Sequence, residues 1–298
     1  MEEDRGCYLC PRKCGALRNA GKLGVCGCSD EIKVARAALH MWEEPCISGN
    51  RGSGAVFFSG CPLHCIFCQN REISDGVAGK VITTERLSEI FLELQKKGAA
   101  NINLVTAGQY AKPVREALLL AKKNGLKLPV IVNSGGYESQ ETLQILSEVA
   151  DVWLPDFKYL NPETAGQFSH AADYPEVAKK AIDFMVRQAG EVKLDDEGYV
   201  QRGVIVRHLV LPGHMKESMD VIAYLYQTYG ERIYLSIMNQ YTPPNRKLPY
   251  PELNRRLTTY EYDRVVDFAL SLGVTQAYIQ EGGTAKESFI PAFDCEGV

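Results

Sequence analysis

Long apolar runs are missing from this 298-residue chain. No stretch approaches the roughly 18–20 residues that a membrane-spanning helix needs, which excludes an integral helical membrane protein. The N-terminus, Met-Glu-Glu-Asp-Arg-Gly, is acidic and polar with no apolar segment behind it, so no secretory leader is expected. An excess of basic charge is missing too: 33 Lys and Arg stand against 37 Asp and Glu, a net charge of −4, and no basic run exceeds two or three residues. A nucleic-acid partner is therefore not expected, and neither is a membrane surface. There is no low-complexity segment. Cysteine is almost missing beyond residue 68, where Cys295 alone follows, although the chain has ten. The expected setting is the cytoplasm, which keeps thiols reduced, so cysteines crowded into the front quarter read as metal ligands rather than disulfides.

The densest of them stand in Ser-Gly-Cys-Pro-Leu-His-Cys-Ile-Phe-Cys-Gln-Asn, residues 59–70, directly after the apolar strand candidate 55–58. Cys61, Cys65 and Cys68 also fit one face of a buried helix, at i, i+4 and i+7. Gly60, Pro62 and the polar His64 argue for a loop instead. Three thiolates converging at a strand end suit a cubane iron–sulfur cluster with one iron left open for a small molecule.

Cys-x3-Cys-x2-Cys with the aromatic Phe67 before its last cysteine resembles the signature loop of the radical S-adenosylmethionine (radical SAM) superfamily. The continuation Cys68-Gln-Asn70-Arg-Glu-Ile-Ser is similar to the pyruvate formate-lyase activating enzymes. The resemblance implies a [4Fe-4S] cluster whose open iron chelates S-adenosyl-L-methionine, and reductive cleavage to methionine and a 5′-deoxyadenosyl radical. Phe67 would cover one face of the cluster or the adenine, with Asn70 beside the cofactor.

Ahead of this loop lies a glycine- and cysteine-rich segment, read as a unit over 1–50, with the barrel over 51–298. Cys7-x2-Cys10-Pro-x2-Cys14-Gly is followed by Cys26-Gly-Cys28, and four ligands at Cys7, Cys10, Cys14 and Cys26 would complete a second metal site. The spacing is neither that of a zinc ribbon nor the ferredoxin run, so iron–sulfur and zinc both stay open, as do inert reduced thiols; crowding of three thiolates into eight residues leans toward a cluster. Cys28 and Cys46 read as spare core thiols or substitute ligands. Residues 34–49 resemble an activating-enzyme-like subgroup, as does the tail 289–293, expected along a barrel edge. His40-Met-Trp-Glu-Glu44 reads as a surface strap packed by Trp42.

From residue 54 the chain alternates strand and helix. Strands are predicted at 55–58, 102–106, 129–132, 152–154, 204–211 and 233–237, and helices at 84–97, 112–124, 139–149, 175–189, 215–229 and 259–272; residues 190–201 read as a loop. Such alternation implies parallel strands with right-handed crossovers, an α/β chain matching the partial (β/α)6 barrel of radical SAM enzymes. The chemistry of parallel barrels sits at the C-terminal strand ends. The resemblance puts the cofactor ammonium at Thr106-Ala107-Gly108-Gln109, where the family carries Gly-Gly-Glu and Gln109 would be a neutral acceptor. It puts the cofactor carboxylate at Lys158, and a monovalent cation at Asp156 with Asn133 and Ser134, where the family often has Asp and Thr. Arg207 would approach the carboxylate or ribose, and Asn239 the ribose. An arginine inside a β-branched run is costly to bury without an anion, which favours a ligand role independently. His208, on the opposite strand face, reads as a second-layer histidine.

No side-chain acid–base pair is required. The expected function is hydrogen abstraction from a glycine backbone in a glycyl radical enzyme, with flavodoxin or ferredoxin as electron donor. A radical SAM enzyme acting on a small metabolite or peptide is the alternative, and a non-catalytic electron-transfer module the third reading.

Overall fold

A computed structural model describes residues 6–280 and 290–298. In chain order the elements are β1 (Lys33–His40), α1 (Pro45–Ser48), β2 (Ser53–Phe58), α2 (Arg71–Ser74), β3 (Lys80–Val81), α3 (Thr84–Lys96), β4 (Ile102–Val105), α4 (Ala111–Lys123), β5 (Val130–Ser134) and α5 (Gln140–Ser147). There follow β6 (Val152–Pro155), α6 (Pro162–Ser169), α7 (Tyr174–Ala189), β7 (Lys193–Leu194), β8 (Val200–Leu209), α8 (Met215–Tyr229), β9 (Tyr234–Met238), α9 (Thr259–Ser271) and β10 (Ala277–Ile279). One sheet runs β10-β9-β8-β6-β5-β4-β2-β1-β3, with β7 paired on β8. Apart from the antiparallel β7–β8 pair, its pairings from β2 through β10 are parallel and its ends do not meet, an open α/β barrel.

The six expected strands and six expected helices are all present. The helices form where apolar spacing and caps agree. In α3, Leu87, Ile90, Phe91 and Leu94 are buried at helical spacing and Thr83 accepts from the Arg86 backbone N–H at 3.2 Å. Alternation sorts the strand residues: Val130, Val132, Trp153, Val204 and Val206 pack toward the helices, whereas Ile131, Val152, Leu154 and Ile205 point into the lumen.

Several features differ from expectation. The front segment is joined to the barrel: β1 pairs antiparallel with β2, and Cys46 and Ile47 of α1 plug the lumen against Ile131, Val152, Leu154, Val200 and Ile205. Cys46 is thus a core thiol, in a different apolar cluster from Cys26 and Cys28. Residues 190–201 contain a short hairpin, Lys193 pairing with Arg202. A further parallel strand, β10, extends the sheet beyond six units. Phe289 lies outside the described residues, while the tail beyond it follows the β1 edge: Cys295 N–H donates to Ala35 O at 2.9 Å, Arg36 pairs with Asp294 at 2.9 Å, and Phe293 packs edge-on to Phe57.

Glu261 ties α9 to the loop that ends β8. Its carboxylate accepts from Gly213 N at 2.7 Å and from both Thr258 N and Oγ1, and pairs with Arg255. Arg255 and these donors hold the carboxyl well below its ordinary range despite burial. Glu261→Ala is expected to lower unfolding free energy by about 2–3 kcal/mol in a urea titration at pH 7. A depressed carboxyl contributes above its unfolded pKa and loses that contribution as pH falls, so the deficit should shrink below about pH 4. An unchanged midpoint at pH 7 would refute this role.

Candidate active site

A cleft of about 490 Å³ opens at the C-terminal ends of the parallel strands, within the size range of small-molecule sites. The loop after β2 supplies Cys61, Cys65 and Cys68, the three cysteines that line the cleft. The loop is irregular, as Gly60 and Pro62 required, and is braced from outside: Ile66 N donates to Phe168 O at 2.9 Å and Cys61 N to Cys26 O at 3.2 Å. Gly60 has φ +89°, and a Cβ there would stand 1.9 Å from Cys28 Sγ, so only glycine fits. Burial pushes the Cys61 thiol up to about 12 and the Cys68 thiol to about 11, and raises that of Cys65. Thiolates here therefore need a bound cation. Three soft donors on one loop, with no fourth cysteine on the cleft wall, fit a cubane cluster with one open iron.

Around these thiols stand Phe67, Asn70, Thr106, Asn133, Ser134, Asp156, Lys158 and Arg207, all on the cleft wall. Phe67 packs between Phe168 and Tyr241. Lys158 and Asp156 form a close ion pair. Burial pulls the Lys158 ammonium down, but Asp156 and Cys65 outweigh it and hold it charged. Ser134 Oγ donates to Glu138 Oε2 at 3.0 Å, and burial raises that carboxyl to about 7. Thr106 has φ +58°, a conformation that costs a β-branched residue roughly 1–3 kcal/mol. It is held there by its N–H to Asn133 O at 2.8 Å and by Gln109 Nε2 on its carbonyl at 2.7 Å.

Other expected residues fall elsewhere. Gln109, Gly108 and Ala107 are not on the cleft wall. Gln109 is buried behind the loop, its Nε2 donating to Ser59 O at 3.0 Å and Gly60 O at 2.9 Å as well as to Thr106. Its amide braces the thiol loop rather than facing an ammonium. Gln109→Glu, which restores the acid of the family motif, is therefore expected to destabilise by at least about 2 kcal/mol, because an acceptor would face three carbonyls. A thermal melt equal to wild type would reject this placement. Asn239 is also off the wall; its Nδ2 donates to Gln280 O at 3.1 Å, while Met238, Gln240 and Gln280 line the cleft. His208 is buried with Nδ1 2.8 Å from Phe157 O, the second-layer position expected, and burial lowers its pKa.

The strap was misread. Trp42 is more than half exposed, whereas the side chains of Glu43 and Glu44 turn inward and clasp Arg207, with Arg207 Nε 2.7 Å from Glu44 Oε1. Asn103 Nδ2 adds a bond to Glu43 Oε1 at 3.0 Å. Burial opposes ionisation of Glu44, and the guanidinium more than reverses it, lowering the carboxyl below its ordinary range. The anion that Arg207 required is thus supplied by the chain. Ser169 was also missed; its Oγ lies 2.9 Å from Cys65 Sγ and 2.9 Å from Tyr159 OH, and no local signal marks a serine at a helix end for such a role.

Among the described residues, no helix is long and apolar enough to cross a membrane. An uncharacterized protein of Methanocaldococcus jannaschii is 27% identical over 274 residues, covering 89% of this chain and 74% of that protein. Pyruvate formate-lyase 1-activating enzyme of Escherichia coli is 30% identical over 113 residues, which cover 36% of this chain and 46% of the enzyme. Among solved structures, Streptococcus suis SuiB bound to precursor peptide SuiA shares 11% identity at TM-score 0.48, covering 71% of this chain and 43% of that one, too distant to bear on the reaction. The Radical SAM superfamily model matches residues 55–225, from β2 into α8 and so across the thiol loop and most of the cleft-forming strands. With more than half of its length in that match, the chain belongs to the radical SAM superfamily, which implies a [4Fe-4S] cluster and S-adenosylmethionine.

Proposed function

We propose that this protein abstracts a hydrogen atom from a glycine backbone of a partner polypeptide, in the manner of a glycyl-radical-enzyme activase. The observation that carries the proposal is the set of three thiols on one loop facing Asp156, Lys158 and Asn133 across a single cleft. Similarity to the pyruvate formate-lyase activating enzyme over the 113 matched residues supports the target. When bound, the cluster and S-adenosylmethionine supply the 5′-deoxyadenosyl radical; the protein supplies orientation and exclusion of water.

Cys61, Cys65 and Cys68 would hold the cluster, and Phe67, wedged between two aromatics, would shield it. Lys158, kept cationic by Asp156, would meet the cofactor carboxylate. Thr106, Asn133 and Ser134 would offer polar groups at neighbouring strand ends, and Asn70 one at the start of α2. Lys158 Nζ already supplies the positive charge that a monovalent cation would bring to Asp156. The electron would come from flavodoxin or ferredoxin.

One observation favours a second reading. A glycine backbone is uncharged, yet the cleft wall includes Glu43 and Glu44 on the single cation Arg207, and the surplus negative charge suits a small cationic metabolite. The test is anaerobic reaction of the reconstituted, dithionite-reduced protein with S-adenosylmethionine and pyruvate formate-lyase, read by electron paramagnetic resonance. A glycyl doublet on the partner supports the activase reading. Its absence, with 5′-deoxyadenosine formed only when small metabolites are added, moves the target to the second reading.

A further inference from the structure

Behind the thiol loop lies a second, much smaller cavity of about 30 Å³. Cys7, Cys10, Cys14 and Cys26 all line it, and its opposite wall is Cys61, Pro62 and Leu63 of the loop itself. The chain is wound to bring these cysteines together. Cys7 N donates to Ala16 O at 2.9 Å and Gly15 N returns to Cys7 O at 3.1 Å, while Lys13 N bonds Cys10 O at 3.0 Å. Lys13, Gly15 and Gly27 all have positive φ, the tight turns that such winding demands. A Cβ on Gly24 would lie 3.4 Å from both Cys14 Sγ and Cys26 Sγ, so the two sulfurs flank one glycine.

This winding has little apolar packing behind it. Tyr8, Leu17, Leu23 and Val25 are exposed, and all ten cysteines are free thiols. A short segment with neither core nor disulfide needs another source of order, and metal ligation is the usual one. Arg18 is an independent sign of negative charge here. It is 6% exposed, lines the cavity, and puts Nη1 3.7 Å from Cys7 Sγ. Its remaining contacts are the neutral carbonyls of Ser29 and Gln109 and the Tyr110 ring, 5.7 Å away, and among the described residues no carboxylate pairs with it. A buried guanidinium without a carboxylate is stable beside thiolates and costly beside thiols.

We propose that Cys7, Cys10, Cys14 and Cys26 hold a second iron–sulfur centre, a four-iron cluster with every corner ligated by the protein. Zinc would need its sulfurs about 2.3 Å from one point. Three of the four thiols stand within eight residues, a crowding that suits the separated corners of a cluster better than one tetrahedral ion. With no open iron, this centre would not bind S-adenosylmethionine. It would instead fasten the leader to the radical loop, which Arg12 Nε on Pro62 O at 2.8 Å and His64 Nε2 against Val25 O at 2.6 Å already join.

The inference stands apart from the three-cysteine reading, and the test separates the two. The Cys61→Ala, Cys65→Ala, Cys68→Ala triple variant keeps the leader intact. After anaerobic reconstitution it should retain about four iron and four sulfide per chain, against about eight of each in wild type. Its reduced paramagnetic signal should be unmoved by S-adenosylmethionine. The Cys10→Ser, Cys14→Ser double variant should fall to about four iron. Should that double variant not fold, the triple variant decides alone: no iron, or one zinc without sulfide, overturns the proposal. Failure of the radical reading would show differently, as wild type with a full iron content and no cleavage of S-adenosylmethionine.

Discussion

Cys65→Ala is expected to abolish 5′-deoxyadenosine formation, by at least about a thousand-fold, which corresponds to some 4 kcal/mol of barrier. Cys65 is the middle thiol of the loop, and its Sγ sits 2.9 Å from Ser169 Oγ at the C-terminal end of α6. Two cysteines cannot hold three corners of a cubane, so the iron at this loop should be lost rather than rearranged. The substitution removes a single sulfur from a half-buried position, so the fold should survive; far-ultraviolet circular dichroism should match wild type while iron at the loop falls. Cys295→Ala, on the tail along β1, is the control and should leave cleavage unchanged. Product at the wild-type rate from the Cys65 variant would remove the thiol loop from the reaction.

Arg207→Ala should produce the largest loss of stability outside the core, about 3–5 kcal/mol, or on the order of 10 °C in Tm. The guanidinium is the cation clasped by Glu43 and Glu44, whose side chains are 8% and 5% exposed. Removing it strands two carboxylates in a lumen closed below by Ile47, Ile131 and Ile205. Adding Glu43→Gln and Glu44→Gln to the variant should restore most of the loss, because neutral amides need no counter-charge. Lysine should rescue poorly, since Nε and Nη2 of arginine both bond Glu44. The sign with pH follows from Glu44: burial favours its neutral form and Arg207 more than offsets this, leaving the wild-type carboxyl depressed. Its contribution is present above the unfolded carboxyl pKa and is lost as pH falls through the lower folded value. In the alanine variant burial acts unopposed on Glu44 and its carboxyl takes up a proton earlier, so the deficit should narrow from pH 8 toward pH 5. A variant as stable as wild type at pH 7.5 that had lost S-adenosylmethionine binding would return Arg207 to the cofactor role first expected of it.

The amino-acid sequence by itself determined the parts whose signals are local. Helical spacing with a cap, as in α3, and β-branched runs between Gly and Pro, as in β4 through β6, fix element type within a dozen residues of chain. Their alternation then leaves few topologies, so the parallel order of the barrel was legible too. The thiol loop and the Asp156–Lys158 pair were legible because each lies within a few residues at a strand end. Only the tertiary structure decided what depends on distant partners. Strand β1 carries no clean alternation because its neighbours on both sides bury it, one of them the tail at Asp294. Gln109 looks like a cofactor ligand until the carbonyls of Ser59 and Gly60 come within reach of its amide. Arg207 advertises a missing anion, but its partner Glu44 lies 163 residues away in the chain. Periodicity reports which face of an element is buried and is silent about what lies against that face; that is set only when the sheet curls and brings α1, β5, β6 and β8 around one lumen.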